Sequence, residues 1–226
     1  MKNRTAYVFV NGNLENCQYV KSEISQSDVI IACDGGIEMV YQLGLKPHIV
    51  VGDFDSAKTL PKVVLDAKPS NQPKAIRVDG VDYYKYPTDK YFLDTELGID
   101  HAIRVGASSI CLVNTIGDEM DHMIGTIFQL TKPKYANVDL QIISQKQRIS
   151  YQTGTIEIHG EIGQKVSLIP INGEVVVKSS SGLKYDPAKH EMKMDTNAGI
   201  SNQLIATEAI IEIKLGSFLI VEYRNF

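Results

Sequence analysis

Residues 49–56 read Ile-Val-Val-Gly-Asp-Phe-Asp-Ser, and this segment decides how the first half of the chain is interpreted. A β-branched run typical of a buried strand ends at a glycine and is followed by two aspartates. In an extended segment, residues i and i+2 point the same way, so Asp53 and Asp55 share a face. Two converging carboxylates suit a hard divalent cation such as Mg²⁺. The alternative is a polar turn in which the aspartates only cap backbone N–H groups.

Apolar strand-like runs alternate with helical periodicity through the first half of the chain. Strands are predicted over residues 7–10, 28–33, 49–51 and 110–113, and helices over residues 15–24, 37–43, 91–105 and 120–130. Between residues 57 and 87 prolines interrupt the pattern, and only residues 75–78 are predicted as a strand. Alternating strands and helices favour βαβ units around a parallel sheet. We therefore predict a Rossmann-like α/β domain over residues 1–137.

The pattern changes after residue 137. Short strand-like runs follow one another, turns such as Asn172-Gly173 separate many of them, and no helical periodicity is evident. This spacing is typical of an all-β sandwich or barrel. The predicted fold class is α/β + all-β: an N-terminal parallel-sheet α/β domain (1–137) followed by a C-terminal β-sandwich domain (138–226).

Composition restricts the partners and the compartment. A formal net charge of −4 and a pI near 5.7 argue against nucleic acid or an anionic membrane as the main partner. Cys17, Cys33 and Cys111 are odd in number and far apart, which favours neither a disulfide framework nor a zinc site. No signal peptide or membrane-spanning run is evident. We expect a cytoplasmic protein with no nucleic-acid or membrane partner.

Acidic residues follow two consecutive buried strands. Asp34, Gly35 and Gly36 come after the strand at 28–33, and Asp53 and Asp55 come after the next one. In a doubly wound sheet ligands bind outside the carboxyl ends of the strands, so three aspartates should meet at one edge. The two glycines begin a helix, where backbone N–H groups can meet a phosphate. The alternative is three independent turn aspartates.

Two further acidic positions lie in the first turns of predicted helices. Asp94 is either a third arm of a metal site or a residue favoured there by the helix dipole alone. Asp121 lies three residues after Asp118, a spacing that also fits a capping box. His122 is either a donor to phosphate or an ordinary surface histidine.

These motifs, taken in order, resemble those of the thiamine pyrophosphokinase family. The ordered set is DGG at 34–36, GDFDS at 52–56, K-x-x-x-D-T-E at 90–96 and DH at 121–122, followed by a β domain containing Gly-Ile-Ser-Asn at 199–202. The resemblance implies transfer of the terminal diphosphate of ATP to the hydroxyl of thiamine, giving thiamine diphosphate and AMP. It also implies a Mg²⁺ cofactor and a homodimer whose active sites lie between subunits.

Site residues follow from the resemblance motif by motif. It makes Asp53, Asp55 and Asp94 the catalytic residues and metal ligands. It assigns the nucleotide side to Asp34, Gly35, Gly36, Asp121 and His122. It assigns Ser201 and Asn202 to the thiamine contact, and it leaves open whether Asp94 or Asp55 acts as the base.

Three positions depart from the family pattern. Tyr91 and Leu93 stand where the family usually has an acid and a threonine, and Glu119 stands where it tends to have an arginine. An acid in place of a cation adds repulsion near a triphosphate. Two alternatives therefore remain: the same transfer onto another hydroxymethyl heterocycle such as a pterin, or a weakly catalytic paralogue that binds thiamine diphosphate or nucleotide.

Overall fold

The chain folds into two compact units, Met1–Gln145 and Lys146–Phe226. The structure, a computed structural model, describes residues 4–10, 18–55, 57, 59–89, 92–113, 115 and 120–224. No helix in these ranges is both long and apolar enough to cross a lipid bilayer.

The first unit is an open α/β sheet. Its strands are β1 (Thr5–Phe9), β2 (Val29–Cys33), β3 (Ile49–Gly52), β4 (Ile76–Val78), β5 (Val81–Lys85), β6 (Ser109–Val113) and β7 (Asp139–Ile143). Its helices are α1 (Gly36–Gln42), α2 (Lys62–Leu65), α3 (Asp94–Arg104) and α4 (Met120–Gln129), with short 3₁₀ segments at Gln18–Ser22 and Pro133–Tyr135. The strand order is β7-β6-β1-β2-β3-β5-β4. Every neighbouring pair is parallel except β4 with β5.

The sheet contains one strand that the sequence pattern missed, β5, and one that it assigned to the other domain, β7. β5 is absent from the prediction, yet it pairs in parallel with β3. β7 was predicted within the β domain but pairs in parallel with β6, so the division falls after β7 and not near residue 137. The predicted helix at 15–24 lies partly outside the described residues, and within its described part, 18–24, only Gln18–Ser22 is helical, as a 3₁₀ segment.

The core of the first unit lies on its central strands. All five residues of β2 and all four of β3 are buried, as expected for parallel strands covered on both faces. Helix α3 packs very closely on this sheet, because a Cβ at Gly98 would lie 2.6 Å from both Cys33 Sγ and Val8 Cγ1. Only glycine allows that approach. The depth of α3 on the sheet is therefore set by backbone contact.

The second unit is antiparallel. Its strands are β8 (Gln147–Gln152), β9 (Thr155–His159), β10 (Lys165–Ser181), β11 (Met192–Lys193), β12 (Asn202–Gln203) and β13 (Glu208–Tyr223). β10 and β13 pair along most of their length, while β9 and β8 pair with the first and second parts of β13. Their inward residues form one apolar cluster that includes Leu168, Phe218 and Ile220. The predicted fold class, an α/β unit followed by a β-sandwich, is confirmed.

The two long strands β10 and β13 replace four short strands that the sequence pattern predicts at 165–169, 175–179, 209–214 and 218–223. Asn172 and Gly173 were predicted to separate strands, and both have positive φ (63° and 116°). They lie where the β10–β13 register shifts, so they form an irregularity within one strand. On the opposite strand Gly216 has φ +88°, and a Cβ there would crowd the backbone of Glu174. The chain bends at this point and continues in the same ladder.

Candidate active site

Asp34 is the first residue after β2, and its backbone is fixed by the neighbouring strand. Its N–H donates a 2.8 Å hydrogen bond to Val51 O, the residue before Gly52. Its φ of 46° is in the left-handed region, which aspartate tolerates better than most side chains. The carboxylate is thereby turned at the end of β2 and buried, with 7% of the residue exposed.

Gly52 ends β3 at the closest approach between the two strand ends. Its φ is +151°, and a Cβ at this position would lie 3.2 Å from Asp34 N, Cα and Cβ. Its carbonyl accepts a 2.9 Å hydrogen bond from the N–H of Tyr86, the residue that follows β5. A side chain at 52 would push the two aspartate-bearing turns apart, which is why the sequence has glycine here.

The loop after Gly52 carries Asp53 and Asp55. Phe54 lies between them with φ 68°, and its ring is buried, so it anchors the loop while the two aspartates lie on the other side. Asp55 N–H donates to Asp53 Oδ1 at 3.2 Å, which fixes the local turn. Further along, Thr59 N–H donates to Glu38 Oε1 of α1 at 3.0 Å. The loop is therefore attached at both ends and at its centre.

This backbone brings three carboxylates to one point. One oxygen each from Asp34, Asp53 and Asp55 lies within 4.8 Å of the other two. Asp34 is buried, Asp53 is half-buried and Asp55 is exposed, so the cluster is open to solvent on one side. Carboxylate oxygens in a partly open cluster match Mg²⁺, which usually binds through one or two carboxylates plus water and substrate phosphate. The residues present fit that ion.

The pKa of Asp34 reflects both its burial and the negative charge of its neighbours. Burial, followed by the negative charges of Asp94 and Asp53, raises the pKa of Asp34 to about 6. A hydrogen bond from the Gly35 backbone lowers it, and the charge of Asp55 raises it further, but both effects are smaller. Ionising all of these carboxylates together is costly, and a bound cation would offset that cost.

Asp94 begins helix α3 near this cluster. Its charge has the largest effect of any neighbouring charge on the pKa of Asp34, but in the part of the chain described it does not belong to the group within 4.8 Å. The structure therefore brings Asp34 together with Asp53 and Asp55, in the arrangement expected from consecutive strand ends. The role of Asp94 as a direct metal ligand stays a prediction.

Glu96, in the same motif as Asp94, has a structural role. It is buried and accepts hydrogen bonds from Lys132 Nζ at 2.7 Å and Lys134 Nζ at 2.6 Å. Although burial opposes ionisation, these two lysines hold the pKa of Glu96 below its usual value. The ion pairs tie the first turn of α3 to the segment before β7.

The residues predicted to bind nucleotide fall into two groups. Gly36 begins α1, and a Cβ there would overlap the carbonyl oxygen of Phe9, so packing on β1 already explains this glycine. Gly35 precedes the helix in an ordinary right-handed conformation. Asp121 and His122 are exposed at the start of α4, where Asp121 Oδ1 accepts from His122 N–H at 2.9 Å. Nucleotide contact by these residues stays a prediction.

The two residues predicted to contact thiamine lie in the second unit, and they differ in their exposure to solvent. Ser201 is exposed and has φ 58°, with its N–H bonded to Ser167 Oγ at 3.0 Å. Asn202 is only 1% exposed. Its Oδ1 accepts from Tyr185 N–H at 3.0 Å, and its Nδ2 donates to Tyr185 O at 2.7 Å. The structure gives Asn202 a supporting role, and its contact with thiamine stays a prediction.

Of the three departures from the family pattern, one lies within the described residues. Leu93 is the N-cap of α3 and offers no side-chain cap, a role that a threonine could fill. Instead Leu93 lies against α4, because a Cβ at Gly125 would be 3.3 Å from Leu93 Cδ1. Tyr91 and Glu119 lie outside the described residues.

Fold and cluster together define a class of protein. It has an open α/β sheet with carboxylates grouped at the carboxyl edge, followed by an antiparallel β unit. Family models agree in order and position: the thiamin pyrophosphokinase catalytic domain matches residues 20–142, and the thiamin pyrophosphokinase vitamin B1 binding domain matches residues 153–220. The chain belongs to the thiamin pyrophosphokinase family.

Individual relatives are distant in sequence and similar in fold. A thiamine pyrophosphokinase of Bacillus subtilis is 22% identical over 193 residues, covering 84% of this chain and 85% of that protein. A crystal structure of thiamine pyrophosphokinase from Bacillus subtilis superposes with a TM-score of 0.80 at 19% identity, covering 98% of this chain and 100% of the other. A thiamin pyrophosphokinase structure from Candida albicans superposes with a TM-score of 0.75 at 17% identity, covering 99% of this chain and 90% of the other.

The raised pKa of Asp34 predicts a pH-dependent stability in metal-free protein. Between pH 4 and 6 the native state binds more protons at Asp34 than the unfolded state, so stability falls as the pH rises through that window. We expect Asp34→Asn in EDTA to be more stable than wild type at pH 7.5, by at most about 3 kcal/mol. Urea denaturation at several pH values measures this difference.

The gain should shrink as the pH is lowered towards 4, since wild-type Asp34 is then protonated in the folded state. Asp195→Asn, which removes an exposed aspartate of the second unit, is the control and should show no such trend. If the difference in the free energy of unfolding between Asp34→Asn and wild type stays constant across the whole pH range, the raised pKa of Asp34 is contradicted.

Proposed function

We propose that this chain is a thiamine pyrophosphokinase that transfers the diphosphate of ATP to the hydroxyl of thiamine, giving thiamine diphosphate and AMP. The observation that carries the proposal is the cluster of Asp34, Asp53 and Asp55 at the carboxyl edge of β2 and β3. Membership in the thiamin pyrophosphokinase family supplies the substrate class. The cysteine pattern supports a cytoplasmic location, which we also propose.

In the proposed reaction the chain positions ATP, held through Mg²⁺, and thiamine. Asp53 and Asp55, with Asp34 beneath them, would hold Mg²⁺. Bound there, Mg²⁺ supplies charge neutralisation to the phosphates of ATP and to the AMP that leaves. The thiamine hydroxyl oxygen forms a bond to the β-phosphorus, and the bond from that phosphorus to the α–β bridging oxygen breaks. Asp94 or Asp55 orients the hydroxyl and accepts its proton.

Most of the catalysis proposed here is positioning and electrostatics, since phosphoryl-type transfers require little covalent chemistry from the protein. Backbone-fixed carboxylates suit that task. Asp34 is held by its N–H bond to Val51, and Asp53 by its turn with Asp55. The nucleotide side of the site is proposed to include Gly35, together with Asp121 and His122 at the start of α4.

We propose that thiamine meets the second unit at Ser201. This residue is exposed in a left-handed conformation, and Asn202 holds the same segment through its hydrogen bonds with Tyr185. Ile200, beside Ser201, is 46% exposed and offers apolar surface to an aromatic ring. Replacing Ser201 should therefore raise the KM for thiamine more than it lowers kcat.

Helix α4 supports the proposal that the enzyme is a homodimer with its active sites between subunits. Its apolar residues Met120, Ile124 and Phe128 are 66%, 43% and 53% exposed, whereas the helix buries Thr126 and Gln129. The three exposed residues are spaced four apart and form one apolar stripe. An apolar stripe of this kind is typical of an interface. The second copy of the chain is the partner we propose for it.

The direct test of the proposed function is the formation of AMP and thiamine diphosphate from ATP, Mg²⁺ and thiamine by the purified protein. We expect both products in equal amounts. Asp53→Asn should lower kcat by about 100-fold or more because it removes one charge of the cation site. Asp195→Asn is the matched control and should leave turnover unchanged. Near-normal turnover in Asp53→Asn would contradict the metal-site assignment.

The dimer proposal has a separate test. Ile124→Lys places a charge in the centre of the α4 stripe, and we expect it to shift the protein from dimer to monomer in sedimentation velocity. Val63→Lys, at a position 57% exposed on α2, is the control and should leave the association state unchanged. If the wild type is monomeric at micromolar concentration, or if Ile124→Lys remains dimeric, this interface is wrong.

A further inference from the structure

A buried polar pair joins helix α3 to the strand that precedes it, and none of the sequence motifs includes it. The hydroxyl of Tyr86 lies 3.0 Å from Nε2 of His101. Tyr86 is 8% exposed and His101 is 1% exposed. A hydrogen bond at this depth, between side chains that could have been apolar, has to be explained.

Tyr86 is bonded to the site through its backbone. It is the first residue after β5, and its N–H donates to Gly52 O at 2.9 Å. Gly52 directly precedes Asp53. The same residue therefore holds the end of β3 with its main chain and helix α3 with its side chain.

His101 lies on the face of α3 that carries Asp94. The two residues are seven positions apart in the helix, which is close to two full turns and about 10 Å along the axis. Gly98, on the same face, brings this side of the helix against β1 and β2. A contact at His101 therefore affects the depth and rotation of the helix that presents Asp94.

The surroundings keep both partners neutral. Burial, together with the charge of Arg104, lowers the pKa of His101 to about 4. Burial also raises the pKa of Tyr86, against the effect of Arg104. The ring of Tyr84 lies 4.3 Å from that of His101, centroid to centroid. The imidazole is thus fixed by packing as well as by its hydrogen bond.

We propose that Tyr86 and His101 are positioning residues that hold α3, and with it Asp94, at a fixed place relative to Asp34, Asp53 and Asp55. The inference rests on the proposed function, because it assigns the pair a role at the proposed cation site. Neither residue is a metal ligand; they act through Gly52 on one side and α3 on the other. Groups that fix the orientation of ligating residues commonly affect metal affinity when they are removed.

The test uses Tyr86→Phe in the full chain, with Mn²⁺ as the probe. Isothermal titration of metal-free protein with Mn²⁺ gives a Kd that does not depend on turnover. We expect Tyr86→Phe to raise this Kd by about 10-fold. In the activity assay the Mg²⁺ concentration for half-maximal rate should rise to a similar extent, while the KM for thiamine stays close to that of wild type.

Tyr83→Phe is the matched control. Tyr83 is a buried tyrosine of β5, 3% exposed, and its hydroxyl bonds to Tyr41. Because side chains alternate along a strand, Tyr83 points to the face opposite that of Tyr84 and Tyr86. Its loss removes a tyrosine hydroxyl hydrogen bond without touching α3, so we expect an unchanged Kd for Mn²⁺.

Two further variants test whether the residues act as a pair. His101→Phe should weaken Mn²⁺ binding as Tyr86→Phe does, and the double variant should be no weaker than either single variant, since each alone removes the same bond. If His101→Phe fails to fold, the comparison of Tyr86→Phe with Tyr83→Phe still tests whether the bond affects the affinity for Mn²⁺. Unchanged Mn²⁺ affinity in Tyr86→Phe, or an equal loss in Tyr83→Phe, would overturn the proposal.

Failure of this inference is distinguishable from failure of the proposed function. Wild-type protein that makes no thiamine diphosphate, but binds Mn²⁺ more tightly than Tyr86→Phe, would contradict the function and support the positioning role. If the wild type makes thiamine diphosphate and Tyr86→Phe binds Mn²⁺ as tightly as the wild type does, the function is supported and the positioning role is contradicted.

Discussion

The first unit depends on one backbone contact, the approach of the ends of β2 and β3 at Asp34 and Gly52. The hydrogen bond from Asp34 N–H to Val51 O brings like charges together, and Gly52 supplies the space for it. Burial of Asp34 and repulsion between the carboxylates both oppose ionisation in this arrangement, and the raised pKa of Asp34 reflects the two costs. Because the main chain enforces the geometry, the cluster is preorganised before any ligand binds.

Helix α3 is fixed to the same edge by contacts of different kinds. Gly98 sets its distance from the sheet, and the ion pairs of Glu96 with two lysines hold its first turn. The N-cap is Leu93, which contributes no capping bond, so tertiary contacts replace local stabilisation at this end. The side chain of Asp94 is therefore placed by residues distributed along the helix, and its charge acts on Asp34 from there.

Much of the fold and part of the site could be predicted because they depend on local patterns. Buried strands and their order placed Asp34, Asp53 and Asp55 at one edge. β5 was missed because Val-Asp-Tyr-Tyr-Lys lacks an unbroken apolar run, and β7 was misplaced because a short strand does not reveal its partner. Tyr86 and His101 could not be predicted, since their bond depends on where α3 crosses the sheet. The buried side chain of Asn202 likewise appears only in three dimensions.

Crystallography with Mn²⁺ would test whether Asp34, Asp53 and Asp55 form the cation site. Crystals of the protein grown with Mn²⁺ and a non-hydrolysable ATP analogue would give an anomalous difference map. We expect the strongest peak within about 2.5 Å of carboxylate oxygens of Asp53 and Asp55, with phosphate oxygens completing the coordination. A strong peak elsewhere, with none at this cluster while the nucleotide is bound, would contradict it.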